Sequence, residues 1–358
     1  MYRNSYVEIN LDRLKFNAIK FRDNSEKEII GVVKANGYGT VDYMEARALE
    51  ECGIRFFAVS SLDEALRLRK NGIQSQILIL GYVPENSMDL IKKNDLSIVT
   101  VSKDFVQKAN LEDVKVHLKL NTGMNRIGVN VSEAKVVLDL LKEKKANVEG
   151  VMSHFSSADT DAEYSRNQYA LFRECVLSLN YSFRYIHMSA TDAAIIIDDD
   201  ICNARRIGIG LLGYCAHEFG LKPCVSLYSE VVMCKQLSAG DTVSYGRHYT
   251  SDGKGYILTI PLGYADGFYR SNTGKDVYVE NEYGKIVGSI CMDQLMILTK
   301  YSHSSGTKVE LFGEHVDIAK RAEELNTITY ELLTSMSDRI RRIYVSEGKI
   351  VNRIDPRF

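Results

Sequence analysis

Between residues 28 and 210 short β-branched runs alternate with amphipathic helical patterns, and no other feature of the 358-residue chain constrains its fold as much. Strands are expected at residues 29–33, 56–60, 77–80, 97–101, 116–120, 148–153, 185–187 and 205–209. Helical periodicity separates most of them, as at 44–52, 62–71, 132–144 and 162–179. Strand–helix units repeating about every 25–30 residues close naturally as a parallel (β/α)8 barrel of the TIM type. A doubly wound open sheet rarely runs to eight regular repeats. After about residue 222 the texture changes. Strand-like runs at 225–236, 243–245, 256–261, 277–280, 286–290, 295–299 and 309–312 follow one another through Gly and Asp/Asn turns, interrupted by one helix at 318–325. The expected fold class is α/β: a (β/α)8 barrel over residues 1–222, followed by a mostly β C-terminal domain over 223–358. A strand-like stretch at 6–9 precedes the barrel pattern, so residues 1–11 are expected to contribute a strand to the β domain.

Composition narrows the function. A net charge of −2 gives no electrostatic reason for nucleic acid or an acidic surface as partner. Seven cysteines, odd in number and scattered without a CxxC pair, fit reduced thiols in the cytoplasm and no metal site. The longest apolar runs, such as residues 193–197, fall far short of a membrane span, so no membrane contact is expected of this segment. That leaves open a membrane portion upstream of it.

The chemistry-bearing residues fall where a barrel would put them, just after its strands. An apolar strand ends in Val32-Val33-Lys34-Ala35-Asn36-Gly37-Tyr38-Gly39. A lysine there, facing a cavity, loses its proton more easily than a solvated one, and a neutral amine condenses with an aldehyde. Pyridoxal 5'-phosphate (PLP) is held in that way. Gly37 and Gly39 let backbone approach a phosphate, and Tyr38 offers it a hydroxyl. Taken alone, such a lysine is more often an exposed loop residue. It does not stand alone, because Lys119, Arg126, His154, His187, Thr191, Arg206 and Gly208 occupy the same end of later strands.

The word VVKANGYG closely resembles the PLP-lysine motif VVKANAYGHG of alanine racemases, and the resemblance to these fold-type III PLP racemases covers the whole chain. It implies that Lys34 is the cofactor lysine and Tyr38 a phosphate contact. It also implies that Thr191, Gly208 and Ile209 meet the phosphate, Thr191 standing where the family has serine. Lys119 falls on a lysine often carbamylated in the family, and Arg126 on the arginine it orients. His154, His187 and Arg206 match the network behind the cofactor. In the β domain, Val-Ser-Tyr245-Gly resembles the segment carrying the family's second catalytic residue; Pro-Leu-Gly-Tyr264-Ala-Asp-Gly and Ile-Cys291-Met292-Asp293-Gln match similarly. The family resemblance further implies a homodimer with shared active sites, in which this segment lines the partner's site.

The implied chemistry is two-base racemisation of a small amino acid. One group removes the α-proton from one face, and another returns a proton to the opposite face. Lys34 would serve one face and Tyr245 the other. A tyrosine with a pKa near 10 is a poor base, so Arg206 and a protonated His154 are expected to help it. Arg126 and the Met292 amide would hold the substrate carboxylate. Three positions depart from the family pattern: its histidine after the glycine-rich turn is Thr40, its asparagine before the phosphate serine is Ala190, and its C-terminal tyrosine is Asp338. A carboxylate in place of a bulky ring opens space and adds an acceptor for a hydroxyl. The expected substrate is therefore serine together with alanine, with alanine as main substrate the alternative. This resembles the racemase domains of membrane-bound serine racemases associated with vancomycin resistance. A decarboxylase of the same fold usually places glutamate, not Arg206, at the ring nitrogen. A PLP carrier generally lacks the β domain.

Overall fold

A computed structural model describes residues 3–356. The chain forms two compact units, one spanning Leu14–Lys222 and the other joining the segment up to Arg13 with the chain from Pro223 onward.

In the first unit the parallel strands Glu28–Val32, Phe56–Val59, Gln76–Ile79, Leu96–Val99, Lys115–Asn121, Asn147–Met152, Tyr185–His187 and Ala204–Ile207 pair in chain order. The eighth pairs back onto the first, with Arg206 opposite Ile30, so the sheet closes into a barrel without edges. These strands form because their residues are apolar, mostly β-branched or aromatic, and bury both faces: Phe56, Phe57, Ile77, Leu78, Ile79, Val116 and Leu118 have no exposed surface. Burying each such side chain contributes about 1.5–3 kcal/mol. Helices including Asp42–Glu51, Leu62–Lys70, Ala134–Glu143 and Ala162–Ser178 cross between strands. Several start at side-chain caps, where Ser61, Ser102 and Asp161 accept the amides of Glu64, Phe105 and Tyr164. The barrel interior is not wholly apolar. Ser97, His117, Glu149 and His187 are buried within it. Gly150 makes room for one of them, since a Cβ there would lie 2.3 Å from His117 Nδ1.

The second unit is built on a ten-stranded sheet. Its order is Met233–Gln236, Tyr256–Ile260, Leu295–Thr299, Glu282–Val287, Asp276–Val279, Lys308–Phe312, Val225–Glu230, Tyr6–Asn10, Arg341–Ser346 and Lys349–Ile354. Tyr6–Asn10 runs antiparallel to Val225–Glu230 and parallel to Arg341–Ser346. Several expectations need correction here. The run at 225–236 is two strands, because the chain changes partner where Val231 donates to Thr307 and Val232 to Thr259. The strand expected at 243–245 is Ala239–Val243, and Tyr245 lies in a tight turn after it. A second helix, Thr329–Thr334, follows Ile318–Glu324. The last two strands carry Arg, Lys and Asn among their apolar residues, which hid them from an apolar-run reading. Among the described residues no helix is long and apolar enough to cross a membrane.

Candidate active site

Lys34 directly follows the first barrel strand and opens an unusual turn. Ala35, Asn36, Gly37 and Tyr38 are all left-handed, with φ of 53°, 57°, 63° and 52°. Left-handed backbone costs non-glycine residues about 1–2 kcal/mol each, so the turn needs external support. Glu64 supplies part of it, its carboxylate accepting the Ala35 amide at 2.8 Å and the Ser60 amide at 2.7 Å. Below the turn, Thr40 donates to the Gly37 carbonyl at 2.7 Å and lies 3.3 Å from Glu45. Glu45 is buried, its Oε1 has no partner among the described residues, and burial pushes its carboxyl up to about 8. Lys34 itself is half-buried. Burial and then the charge of Arg126 push its amine below the ordinary lysine range; Arg206 adds to this and Glu64 opposes it.

Tyr38, Thr191 and Gly208 converge in the same unit. Tyr38 is buried, and its hydroxyl stands so close over Gly208 that a Cβ there would lie 2.1 Å from it. Thr191 accepts the Gly210 amide at 3.2 Å, while Gly208 and Ile209 begin the turn that follows the eighth strand. Two hydroxyls and a side-chain-free stretch of backbone thus form a cradle shaped for an oxyanion.

Arg206, on the eighth strand, is almost fully buried and donates to the carbonyls of Ser153 and Met188 and to His154 Nδ1. Its other terminal nitrogen lies 2.6 Å from His187 Nδ1, His187 Nε2 lies 2.8 Å from His117 Nδ1, and His117 Nε2 lies 3.2 Å from Glu149. A guanidinium only donates, so these contacts admit one polarity: Arg206 to His187, His187 to His117, His117 to Glu149. Burial pushes both imidazoles down and keeps them neutral, as that polarity requires. Burial alone would raise Glu149, but hydrogen bonds from His117 and Ser97 hold it below the usual carboxylate range. Arg206 is pushed down by burial to about 10 and stays a cation at neutral pH. His154 is also held well below the usual histidine range by its surroundings and by the charge of Arg206, Arg126, Lys119 and Lys34. The protonated His154 expected from sequence is therefore neutral. Lys119 is buried on the fifth strand, its amide held by Thr100, and its amine is pushed down to about 7 by burial, Arg206, Arg126 and Lys34. Arg126 is exposed.

In the second unit the remaining candidates share one loop cluster. Tyr264 donates its amide to the Cys291 carbonyl at 3.1 Å, and Ala265 to the Met292 carbonyl at 3.0 Å. Gly263 packs beneath both carbonyls, where a Cβ would lie 2.4 Å from each. Ser244, next to Tyr245, lies 3.4 Å from Cys291 Sγ. Tyr245, Tyr264 and Met292 are all exposed in this unit. Asp293 pairs with Arg339 at 2.7 Å, and the neighbouring Asp338 is exposed.

Residues 9–216 match the profile of the alanine racemase N-terminal domain, and residues 224–344 match that of the alanine racemase C-terminal domain. The chain belongs to the alanine racemase family. It is 37% identical to an alanine racemase of Staphylococcus epidermidis over 96% of this chain and 95% of the relative. The crystal structure of alanine racemase from Bacillus anthracis with bound L-Ala-P superposes with a TM-score of 0.94 at 33% identity, covering 99% of this chain and 98% of the other. A histidine racemase from Leuconostoc mesenteroides gives a TM-score of 0.89 at 28% identity, over 96% of this chain and 99% of the other.

As a member of this family the chain is a PLP-dependent amino-acid racemase, and its residues fit that cofactor. Lys34 would supply an amine of lowered proton affinity, the Tyr38–Thr191–Gly208 cradle would take the phosphate, and Arg206 would supply a fixed cation. Three supporting residues escaped the sequence reading. Glu64 was legible in principle, as the acidic member of the helix-start pattern Ser61-Leu62-Asp63-Glu64. His117 and Glu149 were legible only as polar interruptions of apolar strands, and nothing in their spacing showed that they meet.

Proposed function

We propose that this chain interconverts L- and D-alanine, in a homodimer whose sites are shared between subunits. The observation carrying the reading is the Lys34 amine, of lowered proton affinity, gathered with a phosphate-shaped cradle and the Arg206 cation in a chain whose close relatives are named alanine racemases. PLP, when bound, draws electron density from the substrate's α-carbon and makes its hydrogen removable as a proton. The chain's residues do the rest. The Lys34 amine, its proton affinity lowered by burial and the charge of Arg126, takes or returns the proton on one face. The phenol of Tyr245, supplied by the partner subunit, does so on the other. Arg126 and the Met292 amide hold the substrate carboxylate. Arg206, a cation at neutral pH, keeps the ring nitrogen unprotonated and so disfavours side reactions; His187, His117 and Glu149 hold it in register. A carbamate on Lys119 would return a negative charge to the cluster of Lys34, Arg126 and Arg206, and the lowered proton affinity of that amine favours its formation. Carbon-13 bicarbonate should give a carbamate signal that disappears in Lys119→Ala. A cytoplasmic location fits the seven free cysteines.

Serine preference is the second reading, and Asp338 is what favours it. Arg339 is engaged by Asp293 and Arg341 by Asp355, and Arg342 donates to the carbonyls of Met336, Ser337 and Ile340. Asp338, whose charge acts on Arg342, is an exposed carboxylate where the family carries a tyrosine. Kinship with the vancomycin-resistance serine racemases rests on this residue together with Thr40 and Ala190. The deciding experiment is a racemisation assay of purified protein on alanine, serine and larger amino acids. Borohydride reduction should first tag Lys34 with the cofactor. A tag on another lysine, or no racemisation of alanine or serine, would sink the proposal.

A further inference from the structure

Tyr245 is 76% exposed within its own unit, so packing there does little to fix its ring. Its orientation has to come from its backbone, and that backbone is held in a conformation the chain would not choose. Ser244, immediately before it, has φ 66° and ψ −176°, a region used almost only by glycine. Gly246 and Arg247 follow at φ 71° and 53°. One residue holds both sides of the Ser244–Tyr245 peptide. The Ser244 hydroxyl donates to the Ser289 carbonyl at 2.6 Å, and the Ser289 hydroxyl donates to the Tyr245 carbonyl at 2.9 Å. Ser289 is 7% exposed, so water does not readily replace it in either bond. Gly288 lets the two loops approach this closely, since a Cβ there would lie 2.7 Å from the Val243 carbonyl and 3.0 Å from Ser244 Cβ.

We propose that Ser289 is the positioning residue for Tyr245, a two-bond clasp on the strained peptide that aims the phenol at one face of the substrate. This rests on Tyr245 being the second proton-transfer group, and the test separates the two ideas. Ser289→Ala, Ser244→Ala and Ser289→Thr are compared with the unaltered holoenzyme and with Tyr245→Phe. Removing the clasp should lower kcat on alanine by about tenfold or more while KM moves by less than about threefold. The α-deuterium isotope effect should rise for the enantiomer that gives its proton to Tyr245, identified by Tyr245→Phe, and fall for the other, because only one of the two proton transfers is slowed. In the apoprotein, amide exchange over residues 243–249 should quicken by about tenfold or more. Ser289→Thr, which keeps the hydroxyl, should restore most of the activity. Should Ser289→Ala fail to fold, Ser244→Ala removes the other bond and must show the same asymmetry. Symmetrical isotope effects in the clasp variants, beside an asymmetric Tyr245→Phe, would overturn the clasp alone. A symmetrical Tyr245→Phe would overturn the role of Tyr245 and the clasp with it.

Discussion

Asp338 carries the proposed serine reading. Alanine and serine differ by one hydroxyl, which an apolar pocket neither rewards nor rejects strongly, whereas an acceptor within reach does both. Asp338→Tyr should raise the alanine-to-serine ratio of kcat/KM by roughly tenfold or more, about 1.4 kcal/mol of differential transition-state binding. An unchanged ratio in a folded, cofactor-loaded variant would remove the case for serine. Glu45 carries a prediction of a different kind. Its carboxyl titrates near 8 in the folded chain but in the ordinary range, near 4.5, when unfolded. The folded state therefore keeps its proton longer. Glu45 leaves stability highest below the ordinary carboxyl range and lowers it as pH rises from about 4.5 to about 8. Glu45→Gln should match the parent's Tm at pH 4.5 and exceed it at pH 8, by roughly 2–4 °C for each kcal/mol recovered. A parallel pair of Tm–pH curves would show that Glu45 is not the group responsible.

Among elements, the barrel strands were legible because their apolar runs are buried on both faces, and the observed bounds differ from the expected ones by only a few residues. The turn after the first strand was legible as a turn but not as a left-handed one. Three of its four left-handed residues are not glycine, and what stabilises them, Glu64 and the Thr40–Glu45 pair, lies outside the motif. The polar chain through the barrel was invisible for a related reason. His117, Glu149 and His187 sit on three different strands and meet only because strands pair in register, with His117 opposite Gly150 and Met152 opposite His187. Its remote end is testable. Glu149→Leu would leave His117, Ser97 and Gln76 without their acceptor, at about 1–3 kcal/mol for each donor left buried and unpaired. Calorimetry should show a lowered unfolding temperature, and cofactor absorbance should respond to pH differently once Arg206 loses its oriented neighbour. A stability loss with unchanged cofactor titration would confine the chain to a structural role.

For the whole molecule, the proposed sharing of sites between subunits predicts complementation. Lys34→Ala and Tyr245→Phe subunits are each expected to be inactive alone, since each lacks one of the two proton-transfer groups. A mixed dimer would rebuild one intact site from two different chains. After demonstrated subunit exchange, an equimolar mixture should recover about a quarter of the parent activity, the statistical share for one good site in half of the dimers. No recovery would argue that each site is complete within a single chain.

The placement of Tyr6–Asn10 also says something about how this protein is made. That strand is translated before every barrel strand but is flanked in the finished sheet by Val225–Glu230 and Arg341–Ser346. Asp12 and its partner Glu347 are 335 residues apart. At about 5–20 residues per second, the strand waits on the order of tens of seconds for its last neighbour, with Val7 and Ile9 unburied meanwhile. All eight barrel strands are translated within that interval. Slowed translation or a depleted chaperone pool should therefore lower the yield of soluble chain before any defect shows in the finished enzyme.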